Sequence, residues 1–343
     1  MNDTRKKPGA ALLALTATAL CLPGYSRPAQ AWADPDVHTD YRYSAYRESP
    51  LPADKTNGQD GSRYSVDTHQ FNVLWPSSEQ LDFAADMIFE TMSGASPWFI
   101  VPDASGKPVQ VLSGATIHDQ REALQLRGRH YEQDARQSLS GGVSKERDYL
   151  SLSGGLEGEW DFNQQRQTLS AGVGYSNNQL RPTDGQSTRF PNRISSASNN
   201  AATAYVGFSP VLDVQTVAQL GLSYHFENGY LSDPYKEAYV AGNIVQDHRP
   251  DQRGEFTASA KLRHYFDAAN AALHLDYRYY RDDWGVVANT VELGWYQNLP
   301  WQVQVVPAVR YYTQGYADFY QPFYTAARPD GDYSSDYRRS AYG

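Results

Sequence analysis

Cysteine is nearly absent: the 343 residues contain one, Cys21. It lies in an apolar run near the N-terminus, behind Leu20, where a lipidated cysteine needs a small residue, so no lipid anchor is expected. With no thiol after position 21, disulfides and thiolate metal sites are excluded for the rest of the chain. Long apolar runs are missing as well. The run at 10–22 is shorter than the roughly 20 residues that a membrane-spanning helix needs. No later window does better, and mean hydropathy is −0.64. A basic excess is also lacking. Lys and Arg number 30 against 39 Asp and Glu, a net charge of −9, which excludes nucleic acid as a partner held by a basic surface.

What is present begins with an export signal. Arg5, Lys6 and Lys7 precede the apolar run, and two overlapping small-x-small sites follow it, Ala29-Gln30-Ala31 and Ala31-Trp32-Ala33. This pattern predicts a secretory signal peptide over residues 1–31, with an alternative end at 33, followed by a single domain over 32–343. Tyr and Gly number 26 each, against three Met, a composition of strands and turns.

Alternation carries the fold. Strand side chains point to opposite faces in turn. Across 150–162, Leu150, Leu152, Leu156, Trp160 and Phe162 share one parity, whereas Ser151, Ser153, Glu157, Glu159 and Asp161 share the other. The same register recurs as Leu169, Ala171, Val173 and Tyr175, then as Ala218, Leu220, Leu222, Tyr224 and Phe226. Leu273, Leu275, Tyr277 and Tyr279 oppose His274, Asp276, Arg278 and Tyr280. Trp301, Val303, Val305, Pro307, Val309 and Tyr311 form a further course, in which Pro307 cannot donate to a ladder and predicts a bulge.

A soluble sandwich alternates too, with its apolar face inward. Here the polar face is too charged, over too many strands, to be one exposed side of a compact domain. Aromatic pairs also fall near strand ends (Trp160 and Phe162, Tyr224 and Phe226, Tyr277 and Tyr279), where a membrane-interface girdle places them. Short connections at 76–80, 132–134, 163–165, 211–213, 267–270 and 298–300 alternate with long ones near 93–119, 177–200 and 227–254. Tight turns at one end and long loops at the other are the asymmetry of an outer-membrane barrel. The expected fold is all-β, a transmembrane antiparallel up-and-down β-barrel exported to the Gram-negative outer membrane.

Candidate strands fall near 41–48, 64–75, 81–92, 120–131, 135–144, 149–162, 166–176, 201–210, 214–226, 255–266, 271–281, 287–297 and 301–312. Bacterial barrels prefer an even count, so the expectation is about 14 strands, range 12–16. The tail 315–343 shows no apolar alternation and no terminal aromatic strand, so a sheet incompletely closed at the C-terminus and a chain stopping short are expected.

Several local patterns together resemble the bacterial family known as domain of unknown function 3570. They are Met92-Ser93-Gly94-Ala95-Ser96-Pro97, Arg147-Asp148-Tyr149-Leu150-Ser151-Leu152, Trp160-Asp161-Phe162-Asn163, and Gly229-Tyr230-Leu231-Ser232-Asp233-Pro234-Tyr235-Lys236. Asn243, Arg249-Pro250-Asp251-Gln252-Arg253, Leu262-Arg263-His264-Tyr265, Asp276-Tyr277-Arg278-Tyr279-Tyr280-Arg281-Asp282-Asp283-Trp284-Gly285, Arg310-Tyr311-Tyr312 and Ala317-Asp318-Phe319-Tyr320 complete the set. The resemblance spans nearly the whole mature chain. It implies an outer-membrane barrel without an assigned reaction, in an envelope redox setting with a small lipoprotein, a thioredoxin-like protein and a periplasmic flavin transferase. Expected partners are outer-membrane lipid and lipopolysaccharide, the barrel-assembly machinery, and such a lipoprotein or redox protein.

No residue is assigned as catalytic, cofactor-binding or metal-ligating. Asp282, Asp283 and Trp284 read as a turn whose Trp anchors at the membrane interface, in preference to a cation site or partner contact. Asp233-Pro234-Tyr235-Lys236 reads as a turn initiator, and Arg249, Asp251 and Arg253 as a solvated cluster at the rim. Glu157, Glu159, Asp161, Lys261, Arg263, His274, Asp276 and Arg278 are expected to face the lumen, where mixed signs favour a salt-bridged interior. The expected role is a non-enzymatic pore or envelope platform. The alternative is an outer-membrane hydrolase, phospholipase- or protease-like, with His225 or His264 acting with Ser223 or Asp233, although no nucleophile motif accompanies them.

Overall fold

The computed structural model describes residues 33, 36–52, 55–56, 63–94, 97–112, 117–188 and 190–343. The predicted signal peptide and Cys21 lie outside the described residues. The strands are β1 (His38–Arg47), β2 (Ser65–Ser78), β3 (Leu81–Gly94), β4 (Pro97–Pro102), β5 (Pro108–Leu112), β6 (Ile117–Glu132), β7 (Ala135–Lys145), β8 (Tyr149–Phe162) and β9 (Gln167–Leu180). They continue as β10 (Ala197–Pro210), β11 (Thr216–Gly229), β12 (Glu237–Val240), β13 (Asn243–Gln246), β14 (Gln252–Phe266), β15 (Ala271–Asp282), β16 (Val287–Leu299), β17 (Val303–Val305) and β18 (Ala308–Gln314).

Fourteen strands form one antiparallel meander in the order β1-β2-β3-β6-β7-β8-β9-β10-β11-β14-β15-β16, with β17 and β18 both paired to β16. β17 and β18 are one course interrupted at Val306 and Pro307. Trp295 N–H donates to the Pro307 carbonyl at 3.0 Å, but Pro307 returns no donor, so the expected bulge is a break in the strand. Trp301 leaves the ladder altogether: it sits in a short 3-10 turn, Pro300–Gln302, with φ 61°. The turn Asp267–Ala269 ends on Asn270 at φ 48°, a left-handed position that Asn tolerates.

The sheet is not closed: β1 and the β17–β18 course are its two edges. Both edges run toward the long-loop end, so they are not antiparallel partners of one another. At that end Gln314 and Tyr342 exchange both backbone hydrogen bonds, at 2.7 and 3.0 Å, placing the last residues on the free edge of β18. The tail also reaches the other side of the sheet, where Tyr337 approaches Arg63 just before β2.

Side-chain orientation follows the predicted parity. Leu139, Leu156 and Val173 are 64, 57 and 56% exposed on the outer face. Leu126, Leu220, Leu222, Tyr224, Phe71 and Trp75 are exposed with them. The inner parity holds the charges and small residues. Tyr205 swings its ring over Gly172 of the neighbouring strand, filling the space that a Cβ there would need. Among the described residues the buried apolar clusters lie not along the sheet but at its long-loop end. One joins Trp284, Val286, Ala317 and Phe319, and the other Ala238, Val240 and Tyr324.

Two expected boundaries move. The loop expected near 177–200 shortens, because β9 continues to Leu180 and β10 starts at Ala197. The loops near 93–119 and 227–254 each contain a hairpin, β4–β5 and β12–β13.

Candidate functional site

The long-loop end is covered by a cap made of β4–β5, β12–β13, the loop at 181–196 and the tail at 315–343. Its apolar part is built like a small globular core. The Tyr324 hydroxyl donates to the carbonyl of Phe319 and accepts from Ser334 N–H at 2.8 Å, tying the tail into a loop. The Tyr324 ring meets Tyr333 edge-on at 5.1 Å. Isolated bridges Val240–Tyr324 and His248–Tyr333 fasten the tail to the β12–β13 segment.

A buried ion network lies beside this core. Asp336 takes Lys236 Nζ at 3.8 Å and Arg249 Nη2 at 3.4 Å, and it caps the short turn Tyr337–Arg339 by accepting from Arg338 N–H. Burial works against its charge, but Lys236, Arg249, Arg338 and Arg339 hold the Asp336 carboxyl well below the usual carboxylate range. Arg249 also pairs with Asp247 at 2.8 Å. Asp247, enclosed with no second cation at contact distance among the described residues, is pushed upward by burial despite that pair.

The turn between β15 and β16 forms the other wall of the cap. Asp282 accepts Val286 N–H at 2.8 Å and Arg253 Nη2 at 2.7 Å, and Asp283 accepts Gly254 N–H at 2.8 Å. Gly285 takes φ +90°, and any side chain there would strike the Asp318 carboxylate. Trp284 is only 4% exposed and donates to the Gln252 carbonyl at 2.8 Å. The guanidinium carbons of Arg253 and Arg339 lie 4.6 and 5.0 Å from its ring centroid. Trp284 therefore does not anchor at a membrane interface: the tail buries it.

The Arg249 and Arg253 side chains are likewise not solvated at the rim, since each is enclosed with carboxylates; only Asp251 of that trio is exposed. The Asp233 segment is a turn, with Asp233 accepting Tyr235 N–H at 3.0 Å, but it also binds at distance. The Tyr235 hydroxyl donates to Asp148 on the β7–β8 turn, and burial followed by that carboxylate pushes the Tyr235 phenol upward.

Beside the same turn, Asp119 of β6 and Glu146 and Asp148 of the turn offer oxygens within 4.8 Å of one another, a donor set suited to a hard cation. Burial, then the Asp119 and Asp148 carboxylates, push Glu146 up to about 7. None of this trio was a sequence candidate. Their charges converge through β6 and the β7–β8 turn, which no local spacing reveals.

Below the cap the inner face is paired. Arg136 binds Glu159, and Arg263 binds Asp276. Asp161 accepts from Thr168 at 2.6 Å, and Glu157 from Ser138 at 3.3 Å. Arg129 with Asp82 and Arg121 with Glu90, both at 2.7 Å, extend the network to β3 and β6. His274 stacks on Tyr296 with 3.9 Å between centroids, Arg278 lies opposite Ser259 and Thr290, and Lys261 remains exposed.

The hydrolase pairings do not form. His225 Nδ1 meets Thr203 Oγ1 at 2.8 Å and its Nε2 lies 3.7 Å from Glu227, while Asp233 belongs to the cap. His264 meets Thr216 at the opposite, short-turn end, at 2.8 Å. Ser223 faces Thr257 and Tyr205 in the ladder.

Comparison with curated proteins finds no match. Solved structures similar to this chain include a variant of the ferric enterobactin receptor of Pseudomonas aeruginosa, at 10% identity over 78% of this chain and 45% of that one, TM-score 0.41. Two others are the ferric yersiniabactin uptake receptor of Yersinia pestis, at 12% over 82% and 57%, TM-score 0.43, and the outer membrane transporter YddB of Escherichia coli, at 12% over 76% and 44%, TM-score 0.34. The chain spans about half the length of these receptors. The family described as protein of unknown function (DUF3570) matches residues 12–343, carrying through wall and cap alike, and the chain belongs to that family.

Proposed function

We propose that this protein is a non-enzymatic outer-membrane β-barrel whose wall meets lipid and whose polar interior is stoppered at the long-loop end by its own chain. The observation that carries this reading is the outward exposure of Leu139, Leu152, Leu156, Val173, Val206, Leu220 and Leu222 on the successive strands β7 to β11, back to back with ion pairs on the inner face. In water such a surface would be a continuous apolar patch, far beyond what soluble monomers expose. In hydrocarbon it is satisfied. Short turns at one end and the cap at the other orient the barrel with the cap facing outward from the cell.

As a conduit it passes solute only when the cap moves, and as a platform it presents the cap loops. The test is conductance in planar bilayers together with heat-modifiable gel migration. We expect a folded form of anomalous mobility and low basal conductance that rises when the Asp336 anchor is removed. Recovery of the full chain as a soluble periplasmic protein without detergent would refute the membrane reading. Lipid hydrolysis abolished by His225→Ala would refute the non-enzymatic one.

A further inference from the structure

The turn between β7 and β8 reads Lys145-Glu146-Arg147-Asp148, and the fold sorts these charges. The carboxylates gather on one side: Glu146 and Asp148 meet Asp119, and Asp148 accepts the Tyr235 hydroxyl of the cap. Lys145 instead ends the outer parity of β7, after Leu139, Gly141 and Val143, and pairs in the ladder with Glu122 and Leu150. Arg181 continues the outer parity of β9, after Tyr175, Asn177 and Gln179, and its N–H donates to the Asp148 carbonyl at 2.7 Å. Lys145, Arg147 and Arg181 are all exposed, and none forms a salt bridge with a described residue. Against these three cations, the outer parity of β6–β9 carries one acid at this end among the described residues, Glu122.

Their height on the wall matters as much as their sign. Leu139, Leu156 and Val173 form one rung of exposed apolar side chains across β7, β8 and β9. Toward the short-turn end, Trp160 and Phe162 lie four and six residues beyond it (156 to 160 and 162). Toward the cap, Lys145 lies six residues beyond it (139 to 145). At about 3.3 Å per residue and a tilt of about 40°, six residues rise about 15 Å. An apolar band about 25 Å tall ends about 12 Å from its middle. With the rung at mid-band, the cations stand just outside the hydrocarbon, level with lipid phosphates. The short-turn end is different: it exposes Glu79, Glu132, Asp134, Asp213 and Asp267 against Arg166.

We propose that Lys145, Arg147 and Arg181 form a docking surface for the phosphate groups of an anionic lipid in the leaflet on the cap side of the membrane. The acyl chains of that lipid lie along Val143, Leu152 and Val173, and its phosphates meet the three cations, so one molecule is held at both ends. Long Lys and Arg stems suit this border, because they follow apolar surface while their charges stay in the polar layer. The proposal rests on the membrane reading above.

The test uses the full-length protein folded in a neutral detergent, following its thermal midpoint. A glycolipid carrying two phosphate monoesters is titrated in, then the same glycolipid without its phosphates, then inorganic phosphate. Wild type is expected to give a saturable rise with the phosphorylated glycolipid, at least tenfold tighter than with either of the others. The combined variant Lys145→Gln, Arg147→Gln and Arg181→Gln is expected to weaken that response at least tenfold, with the midpoint in detergent alone unchanged. Arg166→Gln, which removes an exposed cation at the other end, is expected to leave the response unchanged. Equal responses with and without the phosphates, or a response retained by the combined variant, overturn the proposal. Inorganic phosphate binding as tightly as the glycolipid also overturns it, by showing that the lipid is not the ligand. Should the combined variant not fold, Arg181→Gln alone decides: binding several-fold weaker is expected, and unchanged affinity overturns the assignment. A chain soluble without detergent overturns the membrane reading and this proposal with it, whereas a heat-modifiable barrel indifferent to the phosphates overturns this proposal alone.

Discussion

In the wall, Leu152 and Leu222 point away from the molecule while Arg136 and Glu159 pair inside it. In the cap, Tyr324, Ala238 and Trp284 are enclosed, and the charges of Asp336 and Arg249 are enclosed with them. The same chain thus buries opposite things in its two regions. The wall relies on ladder hydrogen bonds and on an apolar surrounding that the protein does not itself supply. The cap carries its own core, and needs only to be held over the end of the sheet. This difference predicts that the two regions respond to different perturbations.

The largest effect is expected at the cap anchor. Asp336→Asn leaves Lys236, Arg249 and Arg338 without their shared carboxylate, and breaking a buried pair from one side costs about 3–5 kcal/mol. Hydrogen exchange should show 315–343 opening while the amides of β8–β11 keep their protection. Loss of protection in both regions together would mean that wall and cap are one cooperative unit. The depressed carboxyl makes the sign of the pH effect definite. The contribution of Asp336 is complete above the ordinary carboxylate range, and is lost only as pH falls through its lower folded value, so the cap stays locked in mild acid.

Next in size is the outer face of the wall. Leu222→Arg should cost about 2–4 kcal/mol near a bilayer midplane, and Ser223→Arg far less. Denaturant titration in lipid vesicles compares them, and equal costs would remove the distinction between the faces. Ser151 is unsuitable for this comparison despite its inner parity, because it is wholly enclosed near the rim.

A smaller loss is expected from Tyr324→Phe. It removes the acceptor of Ser334 N–H and the donor to Phe319, and leaving a buried amide unsatisfied costs about 1–3 kcal/mol. The tail should become sensitive to protease with the wall unchanged; an unaltered cleavage rate would show that the hydroxyl is dispensable.

The smallest effect concerns the β7–β8 turn. Glu146 has a folded value raised from 4.5 to about 7, so the folded state holds the extra proton. Its contribution is complete below pH 4.5 and is lost as pH rises through about 7. Glu146→Gln should flatten the pH dependence of stability across that window. A wild-type profile already flat there would show that the carboxylates do not couple.

The wall was legible because its pattern is local. Alternation in β8 and β11 places Leu152 and Leu222 outward through residue parity alone. It failed at the top of β9 and β10, where the apolar parity stops at Tyr175 but pairing runs on to Leu180. There Asn177 bonds Asn200 at 2.8 Å and Asn178 bonds Asn199 at 2.7 Å, so polar side chains continue a ladder that no longer faces an apolar surrounding. The cap gave no such sign. Trp284 looks like an interfacial anchor until Ala317 and Phe319 are laid over it from the tail. Arg249 looks solvated until Asp336 arrives from 87 residues away.

The sequence by itself determined the strand class, the parity of long wall strands such as β8 and β11 and the alternation of short and long connections, since these depend on neighbours a few residues apart. Only the tertiary structure decided that the tail caps the long-loop end instead of adding a full course to the sheet. It alone decided which carboxylates the buried Arg249 and Arg253 receive. Those outcomes depend on the meeting of segments far apart in the chain, where charge and burial are settled by three-dimensional proximity and not by spacing.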